Sequence, residues 1–382
     1  MRFPEFSGEW EKCKLGDIAT GFDYGMNAAA KPFDGENKYI RITDIDEASS
    51  TYIDKDIVSP DGTLTENYLV NDRDILLART GASTGKSYLY RKSDGKLYYA
   101  GFLIRANVTK HNQYFVFSQL HTHRYWSWVS IMSARSGQPG INSQEYSSFP
   151  VYVTSLREEE KISALLSLID ERIATQNKII EKLESLIKGI YDKVLWQSNK
   201  QTSLSEILVE RNERTTINNQ YQVLSSTAKG LYRQSDYFDK EVASANNIGY
   251  KVLRLGDIVL SPQNLWLGNI NYNDLFEIGI VSPSYKVFSI RNSYNPYYVS
   301  CFLKTPKALY EYTNASEQGA SVVRRNLDIN AFMAICFPMP NKILQDKTSE
   351  RLRKINMKLD IEKQIYERLY VQKQYLLRHM FI

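Results

Sequence analysis

The chain of 382 residues is 43% hydrophobic and carries 48 Lys and Arg against 43 Asp and Glu, a net charge of +5. This composition excludes a wholly disordered chain, and the length is sufficient for two or three cores. The longest apolar run, residues 331–340, is too short to cross a bilayer, and residues 1–10 lack the apolar segment of a signal peptide. We therefore expect a cytoplasmic, multi-domain protein whose charge permits an anionic partner without requiring one.

The cysteines and histidines indicate neither a disulfide framework nor a metal site. Cys13, Cys301 and Cys336 lie far apart in the sequence and form no CxxC pair. The three histidines between residues 111 and 123 lack a carboxylate or Cys at a metal-binding spacing. We expect this chain to bind no metal.

Residues 78–87, ARTGASTGKS, resemble the loop that binds the phosphates of ATP or GTP. That loop requires a Gly, four residues and then Gly-Lys-Ser/Thr at the start of a helix. Here Thr80 stands where the first Gly belongs, and only three residues separate Gly81 from Gly85. The segment that follows has an Asp94-Gly95 turn between two Tyr-rich runs, which is typical of a hairpin. The spacing argues against a nucleotide-hydrolysing enzyme.

A long helix is predicted to begin at Ser155, which forms a capping box with Glu158. Apolar residues then recur at alternating steps of four and three, the spacing that keeps one helix face against a partner helix. This predicted seam consists of Ile162, Leu166, Ile169, Ile173, Gln176, Ile180, Leu183, Ile187, Ile190 and Val194. Its polar member, Gln176, either fixes the register of a helix pair or is a tolerated surface glutamine.

The pattern of the first half recurs in the second. Residues 69–81 align with 251–264 through Asp74-Ile75 and Asp257-Ile258. The other aligned segments are 112–120 with 295–303, 147–153 with 334–340 through a shared Phe-Pro, and 14–22 with 203–211. A long helical stretch follows each Phe-Pro. The chain is therefore predicted to contain two repeats, each a globular part followed by a long helix.

The second helix, about residues 346–381, has a less regular stripe: Leu352, Ile355, Leu359, Ile365, Leu369, Leu376 and Met380. The predicted fold class is α+β, with two pseudo-repeated mixed α/β domains, each with a twisted sheet, separated by two long helices that form an antiparallel coiled coil. A helix of about 40 residues would be a spacer of roughly 60 Å. The predicted boundaries are domain 1 at 1–153, helix 1 at 154–198, domain 2 at 199–341 and helix 2 at 342–382.

Taken together, these segments resemble a known family. The opening WEKCKLGDI (10–18), the Phe-Pro before each helix, LLSLIDERI (165–173) and the doubled order are similar to the specificity subunits of type I restriction-modification enzymes. Relatives usually carry a Pro-rich turn and a Glu-Gln pair before the helix isoleucine. This chain has Glu159-Glu160-Lys161-Ile162 in the first half and KILQDKTSERL (342–352) in the second, a departure that bears on partner docking.

The resemblance implies a function without catalysis by the chain itself. Each half would be a target recognition domain for one part of a bipartite double-stranded DNA sequence with an unread gap. The helices would dock two methyltransferase subunits, with two optional restriction subunits. This chain would bind no cofactor, whereas the partner subunits would use S-adenosylmethionine, ATP and Mg. In agreement, NPYY (295–298) and SPSY (282–285) lack elements of the Asn/Asp-Pro-Pro-Tyr/Phe strip of an amino-methyltransferase.

Four Gly- or amide-rich loops are the candidate DNA contacts, because Lys and Arg bind phosphates while amides, hydroxyls and Arg reach base edges. In the first half they supply Arg79, Ser83, Thr84, Lys86 and Ser87 from residues 78–87, and Arg135, Gln138 and Asn142 from 133–144. In the second half they supply Gln263, Asn264 and Asn269 from 261–272, and Gln318, Ser321, Arg324 and Arg325 from 315–326. The alternatives are hairpins with no ligand and arginines paired with local acids.

Two other classes of function stay open on the sequence. A non-enzymatic scaffold would use the coiled coil to hold partners without sequence preference. A nucleotide-using enzyme built on residues 78–87 would be stabilised by ATP.

Overall fold

The structure, a computed structural model, describes residues 2–134, 139–191, 193, 200–237, 246–318 and 325–381. The chain divides into two compact units, each of which is described by itself. Unit 1 comprises Met1–Ile180 and Glu362–Ile382, and unit 2 comprises Glu181–Ile361. Each unit thus contains a globular part and one portion of each long helix. None of the described helices has the length and apolar character needed to span a bilayer.

Unit 1 combines short strands with helices. Its strands are β1 (Glu11–Lys14), β2 (Ala19–Tyr24), β3 (Ala29–Pro32), β4 (Lys38–Ile40), β5 (Val58–Asp61), β6 (Asp74–Ala78), β7 (Ser87–Leu89), β8 (Leu97–Tyr99), β9 (Leu103–Val108) and β10 (Pro150–Val153). Its helices are α1 (Leu15–Ile18), α2 (Gln113–Gln119), α3 (His123–Ser133), α4 (Ser143–Ser147) and part of α5 (Leu156–Ile190).

The central sheet of unit 1 is antiparallel, with strand order β2-β9-β6-β7. Strand β6 is buried along its whole length because both faces of the sheet are covered. Ile75 and Leu77 belong to the cluster that includes the α2 and α3 side chains, whereas Leu76 and Ala78 belong to a second cluster with β4 and β8. The two-residue period of a strand thus divides one apolar run between two cores.

The hairpin predicted around Asp94-Gly95 is wrong. Strand β7 pairs with β6, and β8 pairs in parallel with β4, so the two strands flanking the turn belong to different sheets. The Asp94 carboxylate accepts the Tyr88 hydroxyl at 2.5 Å, and the Gly95 carbonyl accepts the Tyr90 hydroxyl at 3.0 Å. These bonds fix the turn as a crossover, which local turn chemistry does not distinguish from a hairpin.

Unit 2 repeats the architecture. Its strands are β11 (Gln201–Ser203), β12 (Leu208–Arg211), β13 (Leu224–Thr227), β14 (Gly230–Arg233), β15 (Lys251–Arg254), β16 (Ile258–Leu260), β17 (Ile270–Tyr272), β18 (Ile278–Val281), β19 (Lys286–Ile290), β20 (Ser316–Gln318), β21 (Arg325–Leu327) and β22 (Cys336–Pro338). Its helices are α6 (Leu204–Ile207), α7 (Gln234–Tyr237), α8 (Pro296–Leu303), α9 (Pro306–Asn314), α10 (Ile329–Ala334) and part of α11 (Lys342–Met380).

The sheet order β12-β19-β16-β17 matches β2-β9-β6-β7 of unit 1. The repeated Asp-Ile motif has one structural cause in both units. The Asp74 carboxylate accepts the backbone N–H of Asn71 at 2.7 Å, and the Asp257 carboxylate accepts that of Arg254 at 2.9 Å. Each Asp therefore closes the turn before a buried central strand, and the mixed α/β class predicted from the sequence is confirmed.

In unit 1 the first part of α5 runs antiparallel to the last part of α11. The Gln176 amide donates to the Glu362 backbone carbonyl at 3.1 Å and to the Glu362 carboxylate, while Lys373 Nζ lies 2.7 Å from Asp170. Gln176 is 8% exposed. A buried, bonded amide supports the register interpretation over the surface glutamine. A coiled coil along the full length of both helices stays a prediction.

The predicted seam of α5 is buried or half-buried over the described residues, while Val194 lies outside them. On α11 the stripe needs correction, because Ile365 is 39% exposed. Glu362 and Tyr366 occupy the intervening positions of a regular three-and-four spacing, and Lys373 continues it. The other α11 members (Leu352, Ile355, Leu359, Leu369, Leu376 and Met380) are buried or half-buried. In unit 2, Ile190 of α5 packs on the core that contains Leu352.

The capping box predicted at the start of α5 is half formed. The Ser155 hydroxyl accepts the Glu158 backbone N–H at 3.4 Å. The Glu158 carboxylate, however, is 1% exposed and accepts bonds from Arg2, Trp10 and Thr154. The Glu158 side chain thus bonds these three residues and supplies no second half of the cap.

Candidate nucleic-acid interface

The loop at residues 78–87 connects two strands. Ala78 ends β6, a short 3-10 turn covers Gly81–Ser83, and Ser87 begins β7. The Ala78 N–H donates to the Lys86 carbonyl at 2.8 Å, and the Gly85 N–H donates to the Ala78 carbonyl at 3.0 Å. A strand follows Lys86 where a mononucleotide phosphate loop requires a helix N-terminus. The geometry therefore agrees with the spacing in arguing against an ATP or GTP site here.

Two of the predicted DNA-contacting side chains of this loop lie in the interior of unit 1. Ser87 is 2% exposed, and Thr84 is 7% exposed with its hydroxyl donated to the Gly81 carbonyl at 2.8 Å. Lys86 is paired with Glu47 at 3.1 Å. Ser83 is half-buried. Thr84 and Ser87 are thus corrected from surface candidates to structural residues.

The glycines of the loop also differ. Gly85 is buried at φ +94°, and a Cβ there would lie 2.7 Å from Val129. Gly81 is exposed at φ +71° with open space around its Cβ position. Gly81 alone matches the expectation of a backbone open to an outside molecule.

The structure joins the two predicted loops of unit 1. The Gly81 N–H donates to the Pro139 carbonyl at 3.0 Å, and the Ile141 N–H donates to the Arg79 carbonyl at 2.9 Å. The Arg79 guanidinium lies over the Tyr24 ring at 4.5 Å from its centroid. Hydrogen bonding by Ser143, first through its side chain and then through its backbone N–H, lowers the pKa of Tyr24, and the positive charge of Arg79 acts in the same direction.

Asn142, a predicted DNA contact, has a structural task. Its side-chain oxygen accepts the Glu145 backbone N–H at 2.9 Å, and the Glu145 carboxylate accepts the Asn142 backbone N–H at 2.8 Å. This is a reciprocal capping box at the start of α4. Asn142 is exposed, so a role in DNA contact stays a prediction alongside the cap.

The corresponding junction in unit 2 uses other residues. The Arg325 N–H donates to the Gln263 carbonyl at 3.2 Å, and the Arg325 guanidinium lies over the Trp266 ring at 4.6 Å from its centroid. Gln263 is exposed and Asn264 half-buried. Asn269 is 6% exposed and bonds Ser226 through both side-chain atoms, so it is corrected to an interior residue.

The remaining candidates lie outside the described residues: Arg135, Gln138, Ser321, Arg324 and the side chain of Gln318. Their predicted roles are not addressed by the structure. Within the described part of the chain, no group of His, Cys, Asp and Glu is arranged to hold a metal ion.

His111 and His121 make hydrogen bonds within unit 1. His111 Nδ1 lies 2.8 Å from the Glu159 carboxylate. His121 Nδ1 bonds the Phe117 carbonyl at 2.9 Å, and Nε2 bonds the Ser50 hydroxyl at 3.0 Å. Burial lowers the pKa of His121 to about 4, and the nearby Lys373 ammonium acts in the same direction. His121 is therefore a neutral, structural histidine.

Sequence reasoning missed the two aromatic residues of the junctions. Tyr24 ends β2 and Trp266 lies in the short turn Leu265–Leu267. Each meets its arginine across a long sequence separation, which no local spacing reveals. Phe102, whose carbonyl accepts the Arg79 N–H at 3.0 Å and which is 62% exposed, was also missed. An abundance of aromatic residues was the one available signal, and strand packing accounts for most of it.

The first half of the chain is similar to known proteins. Residues 7–185 match the family model described as the type I restriction modification DNA specificity domain. Residues 7–185 are therefore similar to that specificity domain. The resemblance predicted from the sequence is confirmed over them. The type I restriction enzyme MjaVIII specificity subunit of Methanocaldococcus jannaschii is 25% identical over 195 residues, 51% of this chain and 43% of that protein. The match thus spans less than half of the relative's length.

Solved structures extend the likeness in fold beyond the specificity domain. The S subunit of a type I restriction-modification system from M. genitalium has a TM-score of 0.63 at 16% identity, covering 98% of this chain and 96% of that one. A chain from a type I system studied for complex assembly and conformational transition has a TM-score of 0.50 at 12% identity, covering 96% of each. At these identities the likeness shows the fold alone.

Proposed function

We propose that the chain is the DNA-recognition subunit of a type I restriction-modification complex and binds a bipartite target. Unit 1 would bind one half of the target and unit 2 the other, with an unread gap set by the long helices. The chain would direct methyltransferase subunits, and restriction subunits where present, to that sequence. Catalysis would belong to the partners, which would use S-adenosylmethionine, ATP and Mg.

The observation that carries this proposal is the repeated loop junction. In each unit the loop after the central strand meets the loop before the Phe-Pro, and an arginine lies on an aromatic ring where they meet. The scaffolds beneath are alike in sheet order, whereas the residues at the junctions differ. Two similar domains with different contact residues suit the recognition of two different half-sites.

An exposed apolar face on α11 supports partner docking. In unit 1, Ile365, Val371 and Tyr375 are 39%, 64% and 51% exposed. At 100° per residue Val371 and Tyr375 lie about 40° apart on the side of the helix away from the buried Leu369 and Leu376, whereas Ile365 lies at the edge of the buried side. An exposed apolar stripe on a helix is typical of a surface that pairs with another helix. We propose that a methyltransferase subunit docks there, one of two such subunits in the complex.

The test of the function uses the full chain co-expressed with its methyltransferase partner in a host that lacks adenine methylation. Modified bases are then mapped by single-molecule sequencing. The proposal predicts a split motif with an unread gap near one helical turn. Exchanging residues 1–153 for the matching region of a relative should change one half of that motif only. A complex that forms but methylates without sequence preference would instead support the scaffold function.

The docking surface has its own test. Val371→Asp should reduce co-purification with the methyltransferase while leaving the melting temperature of the isolated chain near its original value, because Val371 is exposed. The matched control is Lys363→Asp, an exposed polar position on the same helix. Equal recovery of partner with Val371→Asp and with the control would exclude this face as the docking site.

A further inference from the structure

The pairs Arg79–Tyr24 and Arg325–Trp266 lie where the loops meet, whereas a third close pair, Arg353 over Tyr297 at 4.5 Å, lies on α11. Arg105 lies over Tyr99 at 5.5 Å, but its Nη2 also bonds the Asp23 carboxylate at 3.1 Å. Among the described residues, no carboxylate comes within ion-pair distance of Arg79 or Arg325. Their guanidinium groups therefore keep donors available to a molecule outside the chain.

The pair in unit 2 has unsatisfied donors. Arg325 Nε and Trp266 Nε1 are both buried, and neither finds a hydrogen-bond partner in the part of the chain that the structure describes. Burying an N–H without an acceptor is costly. Because both unsatisfied groups are donors at one position, any group that completes them must present acceptors.

The arginines are also held in place. Arg79 is fixed through its N–H to the Phe102 carbonyl at 3.0 Å and through its carbonyl from the Ile141 N–H at 2.9 Å. The Arg325 N–H is bonded to the Gln263 carbonyl at 3.2 Å. An aromatic ring beneath a guanidinium keeps its planar fork in one orientation. A flat, oriented fork suits a group that presents two adjacent acceptors in one plane, such as a base edge or a pair of phosphate oxygens.

In the major groove, guanine presents such a pair of acceptors, O6 and N7, and Arg is its commonest specific partner. We propose that each unit recognises one guanine of its half-site through its stacked arginine, Arg79 in unit 1 and Arg325 in unit 2. Tyr24 and Trp266 are the positioning residues. This inference rests on the proposed function, and it adds the identity of one base in each half-site.

The two arginines are not equivalent in the repeat. Arg79 comes from the loop after β6, whereas Arg325 begins β21, in the segment before the second Phe-Pro. The arginine of the guanidinium–aromatic pair thus belongs to one of the two meeting segments in unit 1 and to the other in unit 2. The recognised guanine should therefore occupy a different place in each half-site.

The test measures methyl transfer by the complete complex on short duplexes that contain the mapped motif. Each guanine in turn is replaced by 7-deazaguanine, which lacks the N7 acceptor. For the unmodified protein, one substitution in each half should slow methylation roughly tenfold to a hundredfold. The complex with Arg79→Lys should methylate the normal duplex more slowly. Replacing guanine by 7-deazaguanine should then cause no further slowing in one half of the motif, and the usual slowing in the other half. Arg325→Lys should abolish the further slowing in that other half.

The positioning residues are tested by matched pairs. Tyr24→Phe and Trp266→Phe retain a ring and should retain the 7-deazaguanine penalty, whereas Tyr24→Ala and Trp266→Ala should reduce it. Arg172→Lys, at an exposed position of α5, controls for the loss of a guanidinium. Melting temperatures of all variants establish that each is folded.

The outcomes separate the two levels of the proposal. A complex that yields no split motif removes the proposed function, and this inference with it. If the motif is present and Arg79→Lys shows the same 7-deazaguanine penalty at every guanine as the unmodified chain, the assignment in unit 1 is overturned. The proposed function is then unaffected. The same comparison with Arg325→Lys decides unit 2. A uniform loss of methylation on all duplexes, with reduced salt dependence, would identify a phosphate contact and would also overturn the guanine assignment.

Discussion

The buried Glu159 carboxylate accepts the backbone N–H of Asn112 at 2.8 Å, and so joins α5 to the residue that caps α2. In unit 2 the Gln345 side-chain oxygen accepts the backbone N–H of Asn295 at 2.9 Å, and Asn295 caps α8. The same junction between long helix and globular part is thus made by an acid in one unit and by an amide in the other.

The acid and the amide should not be interchangeable. Glu159 also accepts the Thr154 N–H at 3.1 Å, whereas the Gln345 amide donates to the Pro340 carbonyl at 2.8 Å. Glu159→Gln would present an N–H to another donor, and Gln345→Glu would place an acid against a carbonyl. Each change should lower the free energy of unfolding by about 1–3 kcal/mol. Urea denaturation measures both, with Glu160→Gln, an exposed neighbour, as the control. Stability equal to the control in either variant would contradict this account.

The buried polar pair between α5 and α11 yields a second prediction. Gln176→Leu removes the amide that donates to Glu362, and should lower the free energy of unfolding by about 1–3 kcal/mol despite the added apolar surface. The double variant with Glu362→Leu should recover part of that loss, since both polar groups are then replaced together. A double-mutant cycle by urea denaturation gives the coupling. Strict additivity of the two changes would show that the pair does not interact.

His121 should make the protein sensitive to mild acid. The folded chain holds the pKa of His121 at about 4, below the value of about 6.5 expected in an unfolded chain. As pH falls from about 6.5 to about 4, the unfolded chain takes up a proton that the folded chain does not, so stability falls in that window. His121→Gln should flatten the dependence of urea midpoint on pH there. The exposed His123→Gln is the matched variant, and identical pH profiles for His121→Gln and the unmodified chain would refute the prediction.

The two glycines of the loop at residues 78–87 should differ in tolerance. Gly81→Ala meets only the cost of a left-handed backbone, roughly 1–2 kcal/mol, because its surroundings are open. Gly85→Ala adds a clash, since its Cβ would lie 2.7 Å from Val129 and 3.0 Å from Trp126. It should therefore destabilise the protein by at least 1 kcal/mol more than Gly81→Ala does, within the usual range for overpacking. Thermal and urea unfolding compare the two variants, and equal stability would be inconsistent with the described packing of α3 against the loop.

The repeat and the first seam were predictable because their signals are local or periodic. Asp74 and Asp257 recur since each closes the same turn before a buried strand. The α5 stripe is apolar at nearly every seam position, so its period is visible in the sequence.

The second seam and the loop junctions could not be predicted in the same way. On α11, polar residues such as Glu362 and Lys373 occupy seam positions because partners on α5 bond them, and that compensation is tertiary. Thr84 and Ser87 have the composition of surface residues, yet the course of the strands places them inside. The pairing of Arg79 with Tyr24 and of Arg325 with Trp266 depends on loops that meet only in the folded units.

The C-terminal turn of α11 completes the core of unit 1. Phe381 packs against Trp10 at 6.0 Å and Phe115 at 5.2 Å between ring centroids, in a cluster with Ile162 and Leu166. During synthesis, residues 181–361 must emerge before residues 362–381 can reach that cluster. At about 5–20 residues per second, this interval lasts on the order of ten to forty seconds. A nascent chain would therefore expose an apolar patch on its first-made domain until residues 362–381 have left the ribosome.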